Sequence, residues 1–368
     1  MTNRAPPPPR RLGSLVPTMA EPIVTGHHLE FTFDDPEHAM VRVSLDCDDV
    51  LEGRRRFRRT ASGWSLRLPR PALNRVEYRL LLTPRRGDTT VVCDPRNPER
   101  VETAFGERSV AALPGYTPPA WMHDDVSPGD VRELVHEDAA LGAMPFLLWS
   151  PPGLENQVAA PLLVVHDGPE YAKLSALGQY AAAMVGSGQV PPFRMALMQP
   201  VARDDWYAAN DAYVAAELAA VDLVAETVAM AGPLVVMGAS LGGLAALVVA
   251  LCAGPRVGGV FAQSGSFFDA VLDAQESSYP FFDRVAEAVQ RIDRKAVVQP
   301  LAVGMTCGRL EENWQNNEAM ANRLTGRGHR VHLTPLDDLH NYTAWRDGLD
   351  PALTQVLHAV WGGPRMAG

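Results

Sequence analysis

The chain has 368 residues, 46% hydrophobic and 21% charged, which suits an ordinary globular protein of about two domains. Its 33 Lys and Arg face 43 Asp and Glu, a formal net charge of −10, so a nucleic-acid partner, which needs clustered cations, is not expected. The four cysteines form no CxxC pair, which predicts neither a disulfide framework nor a zinc site.

Residues 1–25 read as a disordered tail, because Pro6-Pro7-Pro8-Pro9 favours an extended conformation. This segment lacks the apolar centre of a signal peptide, and no stretch is apolar enough to span a bilayer. The expected location is the cytoplasm, with no membrane partner.

From residue 26 to about 122 the pattern is that of a small, Ig-like β-sandwich domain. The runs Leu29–Phe33, Met40–Leu45, Gly63–Leu68 and Val76–Leu82 alternate apolar and polar residues with period two. Among them, Arg54-Arg55-Arg56 and Arg58-Arg59 read as a solvated strand edge or loop. A Pro-rich connector, Leu113–Trp121, follows.

Residues 123–368 change character. Apolar runs at Pro161–His166, Arg194–Met198, Leu234–Met237, Val257–Ala262, Leu301–Met305 and His329–Leu333 predict strands. Asp211–Met230, Leu241–Ala253 and Thr343–Val360 predict helices. Such alternation implies an α/β domain with a mostly parallel sheet covered on both faces. Cys252 and Cys307 lie in apolar stretches and read as core residues.

Within this domain, Gly238-Ala239-Ser240-Leu241-Gly242 joins a strand to a helix. A tight reversal there needs small residues and exposes the serine hydroxyl at a helix N-terminus, where developing negative charge is favoured. Ser240 is therefore the expected nucleophile. A serine needs a base, and in this arrangement acid and histidine follow the serine in the chain. Among the histidines after Ser240, His329 and His332 flank or lie on a strand and His358 lies in a helix. His340 occupies a loop and is the expected base, with Asp337 and Asp338 shaping that loop. The acid should follow the strand at Leu301–Met305, which leaves Glu311 first and Glu312 second; either would fix the imidazole tautomer. One oxyanion donor should be the Leu241 backbone N–H. The other should come from Asp167-Gly168-Pro169-Glu170, where Pro169 has no N–H and Gly168 or Glu170 must serve.

The elbow, the block Gln263-Ser264-Gly265-Ser266-Phe267-Phe268, Gly308–Asn313 and His340–Asp347 together resemble the enterochelin (ferric enterobactin) esterase-like family, in the putative-esterase branch of the α/β hydrolases. The resemblance covers nearly all of the chain past residue 25, its β domain included. It implies an α/β-hydrolase fold and a serine esterase without cofactor or metal. Ser240, His340 and a glutamate near Glu311 would do the chemistry on a small-molecule ester, a siderophore lactone or another small acyl ester. It also implies Asp167-Gly168 as the oxyanion loop, with Arg203, Asp167 and Trp345 toward the substrate. Two other outcomes are open: an acyltransferase of the same fold, and a non-catalytic hydrolase-like binding protein.

Overall fold

The computed structural model describes residues 22–47, 55–292 and 297–362. Most of the expected tail, and Arg54 of the arginine run, lie outside them. The chain divides into two compact units. The smaller comprises Met1–Pro71, Arg75–Val101 and Glu107–Pro114; the larger is Gly115–Gly368 with Ala72–Asn74 and Glu102–Gly106.

In the smaller unit the four alternating runs are all strands, His28–Asp34, Met40–Asp46, Gly63–Pro69 and Arg75–Pro84. They belong to two sheets, one of four strands and one of five. Apolar residues on one face of each strand bring Phe31 and Tyr78, one from each sheet, edge to face at 4.8 Å between ring centroids. Of the segment expected to be disordered, Ile23 and Val24 form a short strand. Ile23–Val24 pairs antiparallel with Leu29 and Glu30, because the Thr25 hydroxyl accepts the His28 N–H and closes a turn ahead of the strand. Arg58–Arg59 is a short strand paired with Ser65 and Trp64, and Arg59 lies over the Trp64 ring at 4.6 Å.

The larger unit alternates strands with helices. Its strands are β1 (Asp130–Asp138), β2 (Gly142–Ser150), β3 (Leu162–Val165), β4 (Arg194–Met198), β5 (Leu234–Ala239), β6 (Val257–Gln263), β7 (Ala302–Gly308) and β8 (Arg330–Leu336). Its helices are α1 (Gly168–Leu174), α2 (Leu177–Gly186), α3 (Arg203–Tyr207), α4 (Asp211–Thr227), α5 (Leu241–Ala253), α6 (Phe282–Arg291), α7 (Trp314–Gly326), α8 (Tyr342–Asp347) and α9 (Ala352–Trp361). The sheet order is β1-β2-β4-β3-β5-β6-β7-β8. Pairing is antiparallel through β1, β2 and β4 and parallel from β4 onward.

The central strands are apolar on both sides because helices cover both faces. Leu162 and Val164 point into one core with α4, α5 and α7, while Leu163 and Val165 point into a second core with α2 and α9. Among the described residues no helix is long and apolar enough to cross a membrane.

Several expected boundaries move. β7 runs on to Gly308, since Thr306–Gly308 find ladder partners in Thr334–Leu336 of β8. α4 stops at Thr227, where Val228 turns extended. The expected last helix is two, α8 and α9, because Pro351 has no N–H to continue an α-helical ladder and disfavours helix in the residue before it. Cys252 is exposed, at the end of α5 where the helix leaves the sheet, while Cys307 is buried as expected. The β1–β2 hairpin is not evident from periodicity, since β1 is an edge strand with no buried position.

Candidate active site

Three neighbouring strands end in the same way. Asp167 after β3, Ser240 after β5 and Ser264 after β6 all have positive φ, at 51°, 55° and 46°. Positive φ is uncommon outside glycine and costs on the order of 1–3 kcal/mol where it is held strained. The three residues sit at the C-terminal ends of parallel strands, where α/β sheets bind their ligands.

Ser240 is the turn between β5 and α5. Its N–H donates to the Gln263 carbonyl, and its own carbonyl accepts from Gly243, Leu244 and Ser266. Gly238 and Gly242 meet at the base of this turn; a Cβ on Gly238 would lie 2.4 Å from the Gly242 carbonyl oxygen. The Ser240 Oγ is 3.3 Å from the Ser266 Oγ. Leu241, buried, opens α5.

His340 and Glu311 are brought together from loops after β8 and β7. His340 Nδ1 lies 2.9 Å from Glu311 Oε2. The other carboxylate oxygen, Oε1, accepts the Ser264 hydroxyl at 2.9 Å and the Gly308 N–H at 2.7 Å. Glu311 is buried while the His340 side chain is 40% exposed, so the acid is fixed and the imidazole reaches solvent. Burial and the Glu311 charge push the Cys307 thiol pKa far up, leaving it neutral beside the acid. Glu312 is exposed. The remaining histidines after Ser240 lie elsewhere. His329 accepts the Leu301 N–H at the other end of β8, His332 is exposed on β8, and His358 is exposed on α9.

The residues expected near substrate are largely engaged with one another. Asp167 and Arg203 form a forked ion pair, with Nε at 2.9 and 3.0 Å from the two carboxylate oxygens and Nη2 at 2.7 Å. Burial works against the Arg203 charge, but Asp167 more than offsets it and raises the guanidinium pKa. Trp345 is buried. Its Nε1 donates to the Ser264 Oγ at 3.1 Å and its ring stands edge-on to His340 at 5.1 Å. Gly168 opens α1 tightly against β4; a Cβ there would fall 2.2 Å from the Leu197 Cα.

Ser264, Ser266, Gln263 and Tyr171 carry no role expected from the sequence. Gln263 accepts the Tyr171 hydroxyl at 2.8 Å and donates to the Thr306 Oγ1 and the Trp345 carbonyl, tying α1, β6, β7 and α8 together. The only local signal was a run of small polar residues ending an apolar strand.

The family described as Putative esterase matches residues 142–356. A curated relative, the iron(III) enterobactin esterase of Dickeya dadantii, is 28% identical over 214 residues, covering 54% of this chain and 48% of that protein. That match spans about half the length of the relative. The ferric enterobactin esterase of Salmonella typhimurium superposes with a TM-score of 0.75 at 20% identity, over 90% of this chain and 93% of that one. The enterobactin esterase of Shigella flexneri, solved in the presence of enterobactin, gives 0.72 at 20% identity, over 92% and 94%. At these identities the structural likeness speaks for a shared mixed α/β fold.

Proposed function

On the premise that the chain belongs to the Putative esterase family, whose signature spans more than half of it, we propose that it is a serine esterase using Ser240, His340 and Glu311. The observation that carries this reading is the His340–Glu311 hydrogen bond, held by an acid whose second oxygen is already occupied. With Nδ1 committed to Glu311, the Nε2 of His340 is the atom left to take a proton.

In this reading the Ser240 Oγ attacks the ester carbonyl and its proton passes to His340 Nε2. Glu311 stabilises the imidazolium. The oxyanion accepts the Leu241 N–H at the start of α5 and an N–H from the Gly168 loop. The proton then goes to the departing alkoxide, which leaves an acyl-enzyme. Water, deprotonated by His340, releases the acid and restores Ser240. We assign Asp167 and Trp345 to supporting roles, since each spends its polar atoms inside the protein. Arg203 both anchors Asp167 and keeps part of its side chain exposed toward a ligand. The smaller unit is taken as a β-sandwich, a reading supported by the Phe31–Tyr78 contact.

The substrate class proposed is a small carboxylic ester, siderophore lactones included, in keeping with the names of the relatives. The test is labelling by a fluorophosphonate, expected in the protein and lost in Ser240→Ala. Turnover of p-nitrophenyl esters of increasing length, run beside a tri-catechol lactone, then ranks the substrates. A protein that is neither labelled nor active on any ester is a binding protein, and the reading fails.

A further inference from the structure

One buried titratable pair behind the site has no part in the reaction described above. His166, the residue before Asp167, is fully buried and hydrogen bonded at both ring nitrogens. Nδ1 lies 2.9 Å from the Met237 carbonyl oxygen, and Nε2 lies 2.9 Å from the Glu217 Oε2. A carbonyl oxygen can only accept, so Nδ1 carries a proton. Nε2 and Glu217 then share one further proton, which makes the pair either imidazolium–carboxylate or neutral.

The surroundings favour the charged form. Histidine is the stronger base of the two by about two pKa units before any environment acts. Burial opposes an imidazolium, but Glu217, the hydrogen bonds and the neighbouring Asp167 together raise the His166 pKa. The other polar groups around the ring are hydroxyls. Tyr207 of α3 and Tyr213 of α4 have ring centroids at 5.0 and 6.0 Å, and burial holds both phenols well above their ordinary pKa, hence neutral. Asp167 is itself neutralised by Arg203.

Position gives the pair its use. The His166 backbone N–H and its Nδ1 both donate to the Met237 carbonyl, in the strand that delivers Ser240. Its Cβ lies against Gly242 in the first turn of α5, where an added Cβ would come to 3.1 Å. The next residue, Asp167, has its N–H held by the Tyr207 hydroxyl at 3.0 Å and leads into Gly168. One side chain thus links β3, β5 and α4, directly behind the two segments assigned as oxyanion donors.

We propose that His166 is a positioning residue, held as an imidazolium by its buried hydrogen bonds to Glu217 and the Met237 carbonyl. Its ion pair with Glu217 sets the Asp167-Gly168 loop against the Ser240 turn and turns the imidazolium end of that pair toward the oxyanion site. The proposal rests on the serine-esterase reading for its catalytic consequence, but not for the charge itself.

The experiment has two arms. In protein labelled with 15N-histidine, the His166 ring should show both nitrogens protonated, unchanged between about pH 5 and 9, well above the ordinary histidine range. A neutral ring, or one that titrates in that interval, overturns the proposal. The second arm is Glu217→Gln, an isostere whose amide can donate to a neutral Nε2 while Nδ1–H keeps Met237, so every hydrogen bond survives and only the charge is lost. The expected result is a kcat lower by about tenfold with KM within about twofold, as for interactions expressed in the transition state. An unchanged kcat in a folded Glu217→Gln with a neutral ring overturns the positioning role. If Glu217→Gln does not fold, the spectrum of the unaltered protein still decides the charge. Failure of the esterase reading shows separately, as absent fluorophosphonate labelling of the unaltered protein.

Discussion

Glu311 and His340 are 29 residues apart in the chain and 2.9 Å apart in space, Oε2 to Nδ1. The contact forms because β7 and β8 are parallel neighbours whose C-terminal loops open on the same edge of the sheet. The carboxylate is also held from behind by the Ser264 hydroxyl and the Gly308 N–H, so it can hold the imidazole in one tautomer without moving itself.

Glu311→Gln should therefore lower kcat on an activated ester by about 10³–10⁴-fold, the scale seen when a triad acid is made neutral. Glu312→Gln should change it less than about threefold, because Glu312 faces solvent. Steady-state kinetics on one p-nitrophenyl ester checks both. Equal losses would remove Glu311 from its assigned role.

Ser264 orients the acid, and Trp345 orients Ser264 through its Nε1. Ser264→Ala should cost about tenfold in kcat, near the 1.4 kcal/mol expected for one charge-assisted hydrogen bond. Trp345→Phe should cost less, since the Ser264 hydroxyl keeps Glu311 as its acceptor. A larger loss in Trp345→Phe than in Ser264→Ala would mean that the indole itself touches substrate.

The Arg203–Asp167 fork makes lysine a poor substitute for arginine at position 203, because one ammonium cannot span both carboxylate oxygens. Arg203→Lys should lower stability by about 1–3 kcal/mol, from a nearly buried carboxylate left with a weaker partner. It should also reduce kcat/KM by displacing the loop that begins at Asp167. Urea unfolding and kinetics on the same preparation test the two effects together.

His329 should make stability fall on the acid side of neutrality. Burial first, and the Arg327 charge second, lower its pKa, and its Nδ1 accepts the Leu301 N–H only when unprotonated there. Its folded pKa thus lies below the unfolded value of about 6.5. The stabilisation is fully present above that value and is lost as pH falls through it toward the folded pKa. The melting temperature of the protein, measured against that of His329→Gln, should decline from pH 7.5 to 5.5. A constant difference would exclude this contribution.

Ser240, its strand and its helix could be read from sequence because all three are contiguous. An apolar run, a glycine-flanked serine and an Ala- and Leu-rich run specify strand, sharp turn and helix through local backbone preference alone. His340 was singled out for a related reason, since among the histidines after Ser240 it is the one placed in a loop between a strand and the helical segment after it. Glu311 and Glu312 were not separable in that way. Adjacent residues in a turn share their local signals, and one is buried against Ser264 and Gly308 while the other faces water only after β6, β7 and β8 have packed side by side. The same holds for Arg203 with Asp167 and for His166 with Glu217, separated by 36 and 51 residues. Sequence by itself determined where the chain turns sharply from strand to helix, and that Ser240 stands on that turn. The tertiary structure decided which charges meet, because pairing two charges out of water depends on distances that the backbone sets only when the whole sheet is assembled.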